Sequence, residues 1–243
     1  MEVILTILAL IISVPLGGLF VALLDRKSNG QIIKLMLAFS GGFLLSLAFI
    51  HFIPELYEHS HAKVGIYILV GFLIQLILEF FSGGIEHGHI HTSKEEKFPI
   101  ALVIALSAHA LLEGIPLGTE LAGIEIATSH HHGGESGLLT GILLHRFPVA
   151  IALATVLFTS GISKSKVWFT LGIFALTTPL GLILGMSSVD YINIDFNLIL
   201  AVVVGMFLHI STTIIFETSE NHKFNLIKLL TIIGGAGLAF FIH

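Results

Sequence analysis

The sequence has no cysteine. Disulfides and thiolate metal sites are therefore excluded, and any metal must be held by nitrogen and oxygen. Charge is scarce as well. Asp, Glu, Lys and Arg make up 11% of the 243 residues, where a soluble domain carries about 25%. With 55% hydrophobic residues and a mean hydropathy of +0.99, the chain reads as an integral membrane protein. The net charge of −5 argues against nucleic acid as a partner. No nucleotide-binding motif is present, so no ATP motor is expected. No His-Glu-x-x-His motif and no Ser-His pair is evident, which counts against a membrane hydrolase. A basic stretch ahead of the first apolar run is also missing, so that run reads as a retained helix rather than a cleaved signal.

What the chain does have is apolar runs of the length that crosses a membrane, about 20 residues. Eight qualify: 3–24, 32–54, 64–84, 98–120, 137–160, 167–187, 196–217 and 224–242. The expected fold is all-α, a single polytopic domain over 1–243. Arg26, Lys27, Lys34, Lys94, Lys97, Lys164, Lys166, Lys223 and Lys228 fall on one side of it, with Lys63 opposite and Arg146 inside a span. The positive-inside rule makes that side cytoplasmic and places both ends of the chain outside. A bacterial inner membrane is the expected location. There is also an internal echo. "FIPELYEHSH" ends the second span and "IIFETSENHK" the seventh, in opposite directions. This suggests an inverted repeat, spans 1–3 against 6–8.

Ionisable and strongly polar residues at bilayer depth are costly and draw attention to function. They are His51, Gln75, Glu79, His109, Glu113, His145, Arg146 and His209. His109 and Glu113 stand four apart in "HALLEGIP", on one face of the fourth span. His145 in "HRFPVA" lies at comparable depth in the fifth. Two imidazoles and a carboxylate can grip one divalent ion. Prolines sharpen the pattern. Pro116, Pro148 and Pro54 each follow a candidate ligand (Glu113, His145 and His51) by three residues. Each frees a carbonyl four residues back, tolerable at that depth where it lines a polar cavity. Glu79 reads as interfacial, and His209 as a packed, satisfied histidine. Two histidine-rich loops, with His87, His89 and His91 in one and His130, His131 and His132 in the other, read as weak auxiliary metal collectors or as solvated polar loops.

With these motifs in order, the chain resembles the ZIP family of metal transporters. "HALLEG" is similar to the family's His-Asn-x-x-Glu-Gly in the fourth span, and "HRFPVA" to its His-polar-x-Pro-Glu in the fifth. "HFIPE", "GFLIQLILE" and "TTPLG" resemble its motifs in the second, third and sixth. The resemblance implies a 3+2+3 arrangement with inverted outer repeats. It further implies transport of Zn²⁺ or a similar ion into the cytoplasm through a site between the fourth and fifth spans, with an elevator-like movement of part of the bundle.

The departures are specific. Many members have a second adjacent metal site, and its positions here hold Ala110, Arg146, Val149 and Thr178. One metal rather than two is therefore expected, on His109, Glu113 and His145. Gln75 is a candidate fourth ligand and His51 a further one. Arg146 is expected to replace the second ion by its fixed charge, with its guanidinium taking the second oxygen of Glu113; the competing reading is that it pairs elsewhere and braces the fifth span. Zn²⁺ is the favoured cargo, with Fe²⁺, Mn²⁺, Co²⁺ and Cd²⁺ also suited to these ligands. No organic cofactor is expected. The partners are the metal ion, the lipid bilayer and, as an open candidate, a second copy of the chain in a homodimer. A non-transporting metal sensor and, less favoured, a membrane metalloenzyme are the rival readings.

Overall fold

A computed structural model describes residues 1–23, 29–59, 63–82, 98–124, 137–189, 191, 195–217 and 226–241. Every regular element among them is helical: α1 (Glu2–Leu23), α2 (Asn29–Leu47), a π-helical turn (Ala48–Phe52), α3 (Ile53–His59), α4 (Val64–Ser82), α5 (Ile100–Leu121), α6 (Gly137–Thr159), α7 (Lys164–Ser188), α8 (Phe196–Glu217) and α9 (Leu226–Phe241). The second expected span is α2, the π-helical turn and α3 run together, since Gln31–Glu58 forms one apolar stretch of 28 residues. Seven of the eight expected spans are matched by helices long and apolar enough to cross a membrane. The eighth, expected over 224–242, is described as the 16-residue α9. At about 1.5 Å per residue it covers roughly 24 Å, less than the roughly 30 Å of hydrocarbon.

Lipid tails are as apolar as leucine, so close packing rather than hydrophobic burial must hold such helices together. The glycines show where that happens. A Cβ on Gly118 of α5 would lie 1.9 Å from the Leu182 carbonyl oxygen of α7, and one on Gly114 would lie 2.3 Å from that of Thr178. The contact is reciprocal. Gly181 and Gly185 of α7 would each place a Cβ 2.1 Å from a carbonyl oxygen of α5, those of Leu111 and Ile115. Gly71 with Gly205 joins α4 to α8 in the same way, and Gly42 with Gly235 joins α2 to α9.

The helices fall into two groups. In one, α5 packs on α7, α7 on α1, and α1 on α6. In the other, α2 packs on α9 and on α8, and α4 on α8. The groups meet where α2 crosses α6 and where α4 and α8 cross α5. At the first crossing the close neighbours of Gly141 are side-chain ends, Leu47 Cδ2 and Leu44 Cδ2, not backbone. The outer faces of α1, α4, α7 and α9 stay exposed through residues such as Leu5, Leu73, Phe169 and Leu230, as suits a lipid-facing surface.

Candidate metal centre

His109 and Glu113 lie on α5 and His145 on α6, each near the middle of its helix. All three are buried, at 3%, 2% and 2% exposure. One ligand atom from each lies within 4.8 Å of the other two, and among the described residues no other group of three such side chains is drawn together. His109 Nε2 is 2.7 Å from Glu113 Oε1. The His109 and His145 rings meet edge to face, with centroids 6.1 Å apart. Tetrahedral ligands at about 2.0–2.1 Å from zinc sit roughly 3.3 Å from one another. The observed separations bracket that value, so small rotamer shifts close the three atoms on one ion. Imidazole and carboxylate suit Zn²⁺ and its neighbours among the divalent metals.

Gln75 of α4 is fully buried and lies behind the His109 ring, not beside the metal-facing nitrogen. Its Oε1 is 2.9 Å from His109 Nδ1. An amide oxygen only accepts, so Nδ1 donates; in the neutral ring, the form that binds a metal, the lone pair is then on Nε2, the nitrogen turned to Glu113. The sequence suggested Gln75 as a fourth ligand; in the structure its amide oxygen faces His109 Nδ1, on the side of the ring away from Glu113.

Three other expectations meet different outcomes. His51 is not brought into the cluster. It lies in the π-helical turn, where the Ile53 N–H bonds the Ala48 carbonyl, and its Nε2 donates to the Ala239 carbonyl of α9 at 3.3 Å. Arg146 is buried, but its guanidinium does not make the expected bond to Glu113. Nη1 donates to Thr178 Oγ1, while Nη2 donates to the carbonyls of Phe174 at 2.9 Å and Ala175 at 3.2 Å. The reason lies on α7. Pro179 has no N–H to offer the carbonyl four residues back, which is Ala175, so a buried acceptor awaits a donor. The guanidinium also stacks 4.9 Å from the Phe174 ring centroid. This partnership had a signal in the sequence, namely the in-helix proline of "TTPLG". His209 is packed and satisfied as expected, but its partner is Glu79, whose Oε2 contacts His209 Nε2 and joins α8 to α4. His87, His89, His91, His130, His131 and His132 lie outside the described residues.

A sequence profile described as ZIP Zinc transporter matches residues 86–243. The chain belongs to the ZIP family. Protein zntD of Dictyostelium discoideum is 30% identical over 176 residues, which cover 64% of this chain and 24% of that protein. Zinc transporter ZIP9-A of Xenopus laevis is 26% identical over 200 residues, 78% of this chain and 59% of its own length. Zinc transporter zipt-7.1 of Caenorhabditis briggsae is 24% identical over 284 aligned positions, covering 89% and 72% respectively. The chain thus spans about a quarter of zntD and under two thirds of ZIP9-A. These relatives are eukaryotic and lend no support to a bacterial inner membrane.

Proposed function

We propose that this ZIP protein carries a divalent metal ion, Zn²⁺ before others, into the cytoplasm through one central site made by His109, Glu113 and His145. The observation that carries the reading is the convergence of three buried metal-competent side chains from α5 and α6. The names of its relatives, zinc transporters, favour zinc as cargo. A single ion follows from the neighbouring positions. Ala110 and Val149 have no ligating side chain, and Thr178 Oγ1 already accepts from Arg146. Arg146, held on α7, supplies fixed positive charge where two-metal relatives would place a cation.

The helix grouping supports the inverted-repeat, 3+2+3 reading. Spans 1 and 6 share one group, spans 2 and 7 share the other, as do spans 3 and 8, and spans 4 and 5 go with the first. The pairs α5–α7, α4–α8 and α2–α9 are locked backbone to backbone, whereas Gly141 meets the other group at side-chain ends, a difference that suits sliding of one group past the other. Gradients rather than ATP drive the movement in this reading.

The test is uptake of radioactive zinc into proteoliposomes that contain this chain alone. Saturable influx is expected and excludes both the sensor and the metalloenzyme. His109→Ala, Glu113→Ala and His145→Ala should each abolish it while the protein stays folded and monodisperse. Near-normal uptake by any two of the three would overturn the assignment.

A further inference from the structure

The bond between Gln75 and His109 crosses from one helix group to the other. Gln75 is on α4, which is locked to α8 through Gly71 and Gly205. His109 is on α5, which is locked to α7 through Gly114 and Gly118. A bond across such a boundary exists in one register only. If the α5 group moves along α4, Gln75 stays behind and His109 Nδ1 loses its acceptor. A buried donor without an acceptor is costly, more so where no water can enter.

The face of α4 offers a replacement. Glu79 stands four residues beyond Gln75, so it shares that face and lies about 6 Å further along the axis. By the Lys and Arg distribution that direction is cytoplasmic. Glu79 is itself held in place, since His209 of α8 contacts its Oε2 and the Phe72 ring packs edge to face on His209 with centroids 4.7 Å apart. α4 therefore presents two fixed acceptors, an amide and then a carboxylate, one helical turn apart.

We propose that Gln75 is the positioning residue of His109, and that Gln75 and Glu79 are successive stops for the same ring nitrogen as the α5 group moves one helical turn towards the cytoplasm. The proposal rests on the metal-centre reading above and on the sliding of the two helix groups proposed with it. At the first stop Gln75 holds the His109 ring with Nε2 towards Glu113 and His145, so the site binds metal from outside. At the second stop Glu79 accepts the hydrogen bond from Nδ1–H, and the ring keeps its orientation through the transit. Positioning at the first stop governs affinity. An acceptor at the second governs rate.

The experiment uses the purified full-length chain, with Zn²⁺ affinity measured by chelator competition and initial Zn²⁺ uptake measured in proteoliposomes. Gln75→Leu should weaken Zn²⁺ binding about 10- to 100-fold, the usual consequence of removing a hydrogen-bond partner behind a metal-bound histidine. Gln75→Glu, which keeps an acceptor, should restore binding to within about threefold of the unaltered chain. Glu79→Leu should leave binding within about twofold and cut uptake at saturating zinc by about tenfold or more, and Glu79→Gln should recover most of that rate. Gln75→Leu with unchanged affinity would overturn the positioning role. A Glu79→Leu variant that loses affinity as Gln75→Leu does, or a Glu79→Gln variant no faster than Glu79→Leu, would overturn the second stop. His109→Ala run in parallel separates the two levels: if it binds zinc normally, the metal centre itself is misassigned; if it does not, the outcomes above judge the stops alone.

Discussion

A single methyl group on Gly118 tests whether the α5–α7 contact positions the metal centre. A Cβ built there lies 1.9 Å from the Leu182 carbonyl oxygen, 2.7 Å from its carbon and 2.9 Å from its Cα. All three atoms are backbone, so no rotamer change relieves the clash. Ordinary carbon–oxygen contact needs roughly 3.3 Å, so the helices must part locally by about 1.4 Å. Overpacking of this kind costs about 1–3 kcal/mol. Gly118 is five residues from Glu113, about 7.5 Å along the helix. A metal site has to be held within about 0.5 Å of its working geometry. Even a third of the displacement, passed along a stiff helix, reaches that limit. Gly118→Ala should therefore lower the melting temperature by several degrees and weaken zinc binding about tenfold, a change of about 1.4 kcal/mol. Gly172→Ala on α7 is the matched control, because a Cβ there meets nothing within 4 Å. The assay is a thermal melt with and without Zn²⁺, paired with chelator competition. If Gly118→Ala binds zinc as tightly as Gly172→Ala, the close approach does not set the site's geometry and the reasoning fails.

Arg146→Asp removes the donor that satisfies Thr178 and the carbonyls of Phe174 and Ala175, and restores an acidic side chain next to His145. It should admit a second bound metal or cripple the single site, read as the metal-to-protein ratio and as uptake; both unchanged would refute the charge-substitution idea. His51→Ala should leave zinc affinity within about twofold, because its ring faces Ala239 rather than the cluster, and a loss as large as that of His145→Ala would place it in the metal path. Deleting residues 87–91, or replacing His130, His131 and His132 by Ser, should shift apparent affinity only modestly. Complete loss of transport in well-expressed loop variants would move the essential site into the loops.

The membrane class and the order of the spans were legible in the sequence because hydrocarbon thickness sets a length and a composition that no soluble helix of this chain would need. The pairing of His109 with Glu113 was legible too, since four residues on a helix share a face whatever surrounds them. Helix rotation and neighbours were not. When nearly every face of a helix is apolar, periodicity no longer says which face meets which partner, and the choice passes to where backbones approach, at Gly114, Gly118, Gly181 and Gly185. Tertiary packing alone placed Gln75 behind His109 from a helix 34 residues away, and set Glu79 against His209 across 130 residues. It turned His51 towards α9 and drew Arg146 away from Glu113 to the acceptors beside Pro179. A buried polar group in a membrane takes the nearest fixed partner that satisfies it, and which partner is nearest is a property of the assembled bundle.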